Sequence, residues 1–199
     1  MKRRYLIVSF ALLFVIFSSF GLVDATEVTL EPGYDDGKGW SGWGGSWDDV
    51  PGSGLCKIYM NAVGLPSSVN CWVGSKITLS STQSIYMDAD LDLTGYVGAN
   101  WAGEGTVFVY LEVRRTDNER SEVWSVQVYS DVTESTKHND YNDRDLNLNT
   151  NNFPKTLSAG TYYFCARIRF KGEWGAVFQE AEGDSDKGWL EVNSITVTY

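Results

Sequence analysis

In the stretch MDADLDL, Asp88, Asp90 and Asp92 alternate with Met87, Ala89, Leu91 and Leu93. On an extended chain the three carboxylates share one side, about 7 Å from one to the next. That separation lies in the range at which a glycosidase places its acid and its base or nucleophile. Charge of this kind also protects a solvent-facing strand edge, so the pattern alone does not assign catalysis. A second acidic pattern occurs twice, as GYDDGKGW from Gly33 and as GDSDKGW from Gly183, and both copies close on Lys-Gly-Trp. Asp35, Asp36, Asp184 and Asp186 would offer carboxylates to a hard cation, and calcium accepts roughly six to eight oxygens without strict geometry. A structural calcium ion is therefore the one cofactor the chain suggests. Asp-Gly and Gly-Asp-Ser-Asp are also ordinary turn chemistry, which makes two neighbouring turns the competing reading. Asp143-Arg144-Asp145-Leu146-Asn147 begins like an EF-hand loop, but Leu148 stands where that loop requires glycine.

Nucleophilic catalysis through histidine finds no support. His138 is the single histidine and sits in the polar run STKHNDYNDRD, apart from any nucleophile motif. The aromatic residues carry a stronger hint. The chain has eight tryptophans, five of which, Trp40, Trp43, Trp47, Trp101 and Trp174, stand in glycine-rich surroundings rather than apolar runs. Sugars present flat C–H faces to aromatic rings and hydroxyls to charged and amide side chains. The same rings would alternatively cap the open ends of a β-sandwich, as large amphipathic residues do.

These residues need strands to position them. Runs of period two, bounded by Gly, Pro, Asn and Asp, predict strands at about 56–63, 70–79, 84–93, 106–115, 122–130, 160–170 and 189–199. Such a series implies an all-β chain, an antiparallel two-sheet β-sandwich or jelly roll. The C-terminal strand requires a partner, and residues 27–30 are the candidate. Alternation also assigns faces. Val107, Val109, Leu111 and Val113 point one way, with Phe108, Tyr110, Glu112 and Arg114 opposite. On the next aromatic strand Tyr163, Arg167 and Arg169 oppose Phe164, Ala166, Ile168 and Phe170. In VWSVQVYS, Trp124, Val126 and Val128 are read as inward, Gln127 and Tyr129 as outward. The polar faces thus add Tyr110, Arg114, Tyr129, Tyr163, Arg167 and Arg169 to the candidate ligand-binding tryptophans. Residues 34–55 and 131–158 read as long irregular stretches, the second either functional or mobile.

The first 25 residues set the compartment. Lys2, Arg3 and Arg4 precede an uncharged apolar run, and Val23-Asp24-Ala25 offers small residues for cleavage after Ala25. A retained membrane anchor is the alternative, since 19 residues separate Arg4 from Asp24. Residues 26–199 then form one domain. Without that segment 13 basic and 25 acidic residues remain, a charge of −12. So acidic a chain is expected to repel nucleic acid and anionic membranes after signal cleavage. Export permits a disulfide, and Cys56 and Cys71, flanking an expected hairpin, are the pair to bridge. Cys165, in an aromatic strand, reads as a buried small hydrophobe.

Two resemblances sharpen the picture. The acidic alternation around Asp90 resembles the catalytic strand of jelly-roll glycoside hydrolases of the laminarinase type, which carries glutamates at its outer positions. More broadly, residues 27–199 look like the secreted β-jelly-roll modules grouped as galactose-binding-like or carbohydrate-binding. The resemblance rests on the early Trp/Gly stretch, the middle strand from Ser84 to Gly95, the run Ala159-Gly160-Thr161-Tyr162, and the closing strand to Tyr199. It implies glycan binding and, in many members, a structural calcium near joined termini. The expectation is a secreted or cell-surface, non-catalytic, lectin-like protein that binds a glycan or polysaccharide. A structural or protein-binding surface protein is the alternative, and a glycosidase using Asp88, Asp90 or Asp92 a third.

Overall fold

Alternation at period two decides this fold, because each strand must hide one row of side chains and wet the other. The computed structural model describes residues 25–62, 65–99, 103–117, 120–134, 137–183 and 185–199. Residues 1–24, and with them almost all of the leader, lie outside the described residues. The strands are β1 (Glu27–Leu30), β2 (Asp36–Ser41), β3 (Gly45–Val50), β4 (Leu55–Ala62), β5 (Ser67–Leu79), β6 (Gln83–Ala99) and β7 (Glu104–Arg115). They continue as β8 (Glu122–Glu134), β9 (His138–Asn149), β10 (Lys155–Leu157), β11 (Gly160–Gly172), β12 (Ala176–Gln179) and β13 (Gly188–Thr198). Among the described residues the only helical piece is the single 3-10 turn Pro51–Ser53.

All pairings are antiparallel and form two sheets. In the first sheet β13 lies between β1 and β6, and β6 in turn pairs β9. In the second, β2, β5, β11, β7 and β8 follow one another. The paths β1-β13-β6-β9 and β5-β11-β7-β8 are those of a jelly roll, a two-sheet β-sandwich. β4 continues the position of β1 along β13, and β12 continues that of β13 along β6. As expected, the N-terminal strand closes against the last, Glu27 opposite Thr198.

The core fills the space between the sheets. Ile58, Met60, Met87, Leu91, Leu93, Leu190 and Val192 come from the first sheet, and Val69, Val109, Leu111, Phe164, Ile168 and Phe170 from the second. All have no exposed surface. Each such side chain contributes about 1.5–3 kcal/mol on leaving water.

The cysteines correct one expectation. Residues 56 and 71 do not flank a hairpin, because the chain passes from β4 in the first sheet to β5 in the second. All three thiols are free and buried. Each of the two has its own carbonyl acceptor, Cys56 Sγ at 3.9 Å from Ala166 O and Cys71 Sγ at 3.1 Å from Asp48 O. Burial, then the hydrogen bond with Cys71, pushes the Cys56 thiol up, and burial does the same for Cys165, so neither forms a reactive thiolate readily. A thiol-reactive dye is expected to label none of the cysteines in the native protein and all three in guanidinium. A count of one on unfolding would report a bridge instead.

Candidate functional site

The outer face of the second sheet is where the polar alternation of β7 and β11 comes together. Across it, side chains stand abreast in rows. Lys76, Tyr163, Arg114 and Glu122 form one row; Asp36, Gly74, Cys165, Glu112 and Ser125 the next. Then come Lys38, Trp72, Arg167, Tyr110 and Gln127, followed by Trp40, Asn70, Arg169, Phe108 and Ser130.

Half of this face is a structural network. Glu112 is fully buried although it points outward. Arg114 donates through Nε and Nη2 to its Oε2 at 2.8 and 2.6 Å, while Arg167 Nη2 and Ser125 Oγ reach its Oε1 at 2.7 and 3.0 Å. Arg167 lies over the Tyr110 ring at 4.3 Å and Arg114 over Trp72 at 5.1 Å, adding cation–π attraction. Below them Trp72, Tyr163 and Cys165 make a small apolar cluster of their own. The Tyr163 hydroxyl donates to Asp36 Oδ2 at 2.8 Å, and Arg120 pairs with the same carboxylate. Burial first, then the bond to Asp36, raises the Tyr163 pKa, which keeps this hydroxyl a donor. Arg114, Arg167, Tyr110 and Tyr163, predicted as ligand contacts, are thus largely committed to the protein itself.

The other half is free. Among the described residues Arg169 has no hydrogen-bond or ion-pair partner, and its Nε is buried. It lines a groove of about 380 Å³ together with Trp40, Trp43, Leu65, Ser67, Ser68 and Lys171. Trp40 is 56 % exposed, Trp43 62 % and Leu65 60 %. The groove lies toward one pole of the sandwich, at the ends of β2, β4, β6, β8 and β11 and the starts of β3, β5, β7, β9 and β12. Trp174, 60 % exposed, stands on the last of these. Its φ is +41°, a left-handed conformation that bulky residues avoid. Backbone bonds from Glu173 N to Glu104 O and Gly175 N to Ala62 O, at 2.9 and 2.6 Å, hold it there. The Trp43 turn is pinned to both sheets, by Gly42 N to Ser68 O and Asn61 N to Gly44 O at 2.8 and 2.9 Å. Gly44 has φ +74°, and a Cβ there would stand 2.3 Å from Asn61 O, so no other residue fits.

Not every predicted contact joins this site. Trp47 is packed against the core on β3, its indole filling the space above Gly39, where a Cβ would lie 2.4 Å from the ring. The face assignment of Tyr129 is corrected. A bulge between Val109 and Tyr110 of β7 shifts the register, Tyr129 falls opposite Val109, and its ring packs on the core. Trp101 lies outside the described residues. Conversely, Lys171, Phe108 and Asn70 belong to the groove region and were not anticipated. Lys171 simply extends the outward alternation of Arg167 and Arg169 by two residues.

The acidic candidates are dispersed. Asp35 accepts from Lys76 N at 2.9 Å and Asp36 is taken by Arg120 and Tyr163. Asp186 sits beside Lys187, Trp189 and Glu180 in a different cleft, and Asp184 lies outside the described residues. Among the described residues no three acidic, histidine or cysteine side chains converge as a metal site. Asp88, Asp90 and Asp92 lie on the outer face of the first sheet, in the middle of it rather than at an edge, because β6 is bonded on both sides. Asp88 and Asp90 line an open cleft with Asn147, Asn149, Ser194 and Thr196. His138 stacks on Tyr96, ring centroids 5.7 Å apart.

No protein-family model matches the chain, and no curated protein does. Solved structures that it resembles include the Arthrobacter globiformis T6 isomalto-dextranase complexed with panose, at 15 % identity and TM-score 0.31, covering 81 % of this chain and 23 % of that one. The infectious bursal disease virus Gt strain aligns at 12 % identity and TM-score 0.31, over 88 % of this chain and 33 % of that one. The module TmCBM61, solved with β-1,4-galactotriose, aligns at 7 % identity and TM-score 0.25, over 83 % of this chain and 90 % of its own. The chain thus spans a quarter to a third of the length of the first two.

The division between committed and free residues is open to urea unfolding. Glu112→Ala strands two arginines and is expected to cost about 3–5 kcal/mol. Trp47→Ala is expected to cost about 3 kcal/mol, whereas Trp40→Ala and Trp43→Ala should stay within about 0.5 kcal/mol of the parent protein.

Proposed function

We propose that the protein is an exported, non-catalytic glycan-binding β-sandwich that holds its ligand at the pole bearing Trp40, Trp43 and Trp174. One observation carries this reading: three indoles that folding could have buried instead stand about 60 % exposed at one end of the sandwich. Large aromatic patches left in water mark interaction sites. Their faces suit pyranose C–H surfaces, and Arg169, Lys171, Ser67 and Ser68 beside them suit hydroxyl and ring oxygens. The indoles cost little to order on binding, because the Trp43 and Trp174 turns are already fixed by backbone bonds.

The non-catalytic part of the proposal rests on placement. The carboxylates spaced for glycosidase chemistry lie on the opposite sheet, and among the described residues no acidic side chain lines the groove. The leader in residues 1–25 supports export to an extracellular or cell-surface location. The reading requires no metal ion, since Asp36 already has a cationic partner.

A second reading has its own observation. Leu65 and Val132 are 60 % and 48 % exposed at the same pole, which suits a protein partner that buries an apolar patch. The experiment that separates the two is a polysaccharide screen by affinity electrophoresis, with reducing ends assayed in the same samples. Retention without product release is expected. Trp43→Ala should weaken it about tenfold or more, and Asp90→Asn should leave it unchanged. Reducing-end release that Asp90→Asn abolishes would instead establish a glycosidase, and no retention of a folded sample would favour the protein partner.

A further inference from the structure

The two outer faces carry opposite charge. On the first sheet Asp88, Asp90, Asp92, Asp145 and Glu191 lie across β6, β9 and β13, and among the described residues none of them has a cationic partner. Asp92 accepts from Asn193 Nδ2, and Asp145 from Asn147 Nδ2. The second sheet presents Lys38, Lys76, Arg114, Arg167, Arg169 and Lys171 on its outer face. There the acids of the same face, Glu112 and Asp36, are consumed by Arg114, Arg167 and Arg120, and Glu122 lies 4.0 Å from Arg167. In a chain of net charge −10, one face has therefore kept surplus positive charge.

That surplus reaches the groove. Arg169 is bracketed in its row by Asn70 and Phe108, two strands from Trp40. Its guanidinium has no acid among the described residues to answer it, and its Nε is cut off from water. Leaving a buried donor unsatisfied is unfavourable, and the guanidinium that carries it lines the groove, where an incoming anion can pair with it in the bidentate geometry that arginine offers. Lys171, two residues on, reaches only Glu173 at 3.4 Å, with both side chains close to half exposed. A neutral sugar would use the indoles and leave Arg169 unanswered and Lys171 with only its exposed pair to Glu173.

From this geometry we propose that the ligand of the groove is an acidic glycan, a polysaccharide whose units carry a carboxylate or sulfate group. The anionic group pairs with Arg169 and Lys171 while the sugar rings stack on Trp40 and Trp43. The acidic first sheet repels the same polymer, so one side of the molecule is presented to it. This inference rests on the glycan reading above and deepens it.

The test pairs charged polymers with neutral counterparts of the same backbone: polygalacturonate against its methyl ester, and dextran sulfate against dextran. Binding is measured by isothermal titration at two salt concentrations, and thermal melting of every variant confirms folding. At least one charged polymer is expected to bind about tenfold or more tighter than its neutral partner, more weakly as salt rises. Arg169→Gln should erase most of that difference, with Lys171→Gln as the second variant, and Trp43→Ala should also weaken binding. Asp88→Asn with Asp90→Asn, on the other face, should not weaken it. Equal binding of charged and neutral polymers, lost with Trp43→Ala and untouched by Arg169→Gln, would overturn the acidic-glycan inference and leave glycan binding standing. Charged-polymer binding that ignores Trp43→Ala would place the interaction outside the groove and overturn it too. Retention of no polymer by folded protein would remove both.

Discussion

The buried carboxylate of Glu112 organises the outer face of the second sheet. An outward residue in a sheet is ordinarily solvated, yet this one is sealed beneath Arg114, Arg167 and Ser125. A charge so placed is tolerable only if its lone pairs are taken up, and here both oxygens are. The network ties β7 to β8 through Ser125 and to β11 through Arg167, and the rings of Trp72 and Tyr110 lie against the two guanidinium groups. It also limits where a ligand can act. Two of the arginines on this face are spent on Glu112 and a third, Arg120, on Asp36. The next arginine of the alternation, Arg169, has no acidic partner among the described residues. The free cation is thus a consequence of where the structural network stops.

Much of the fold was legible because alternation writes itself into sequence wherever a strand has one apolar row. All seven expected strands are present, as β4 to β8, β11 and β13, and the pairing of the two terminal strands follows. The missed strands failed for physical reasons. β2 reads DGKGWS, and its inward positions are Gly37 and Gly39 because Asp49 and Trp47 of the crossing strand occupy the space a side chain would need. β9 hides Tyr141 and Leu146, five residues apart and of opposite parity, and a bulge at Asp143, φ +45°, brings them to one side. The same kind of irregularity reversed Tyr129. Bulges leave no mark in a period count.

The candidate site was legible in part. Composition singled out the glycine-flanked tryptophans, and Trp40, Trp43 and Trp174 do stand exposed. It did not tell them from Trp47, which shares the same run of Gly, Ser and Asp. Parity across a hairpin decides that difference: Trp47 falls on the inward row of β3, whereas Trp40 falls on the outward row of β2 and Trp43 on the turn. Charge is silent in the same way. The sum over the chain is strongly negative but carries no record of where the charges lie. Only pairing order shows that the acids of β6 and β9 share one sheet face while the bases of β11 lie on the other.

Trp174 bears on the proposed site independently of the groove. A left-handed residue that is neither glycine nor asparagine is strained by about 1–3 kcal/mol and survives only where its surroundings over-determine it. Gly175, next along the chain, takes the same region at φ +90° without such cost. The turn could therefore be made with a small residue at position 174, and a core-capping indole would be covered rather than 60 % exposed. The strained backbone presents a large aromatic face to water on a turn tied to β7 and β4 through Glu104 and Ala62. Exposure without mobility lowers the entropy lost when a rigid ring accepts a flat ligand. A tryptophan that neither fills the core nor relaxes its own backbone is best explained by what it meets in solution.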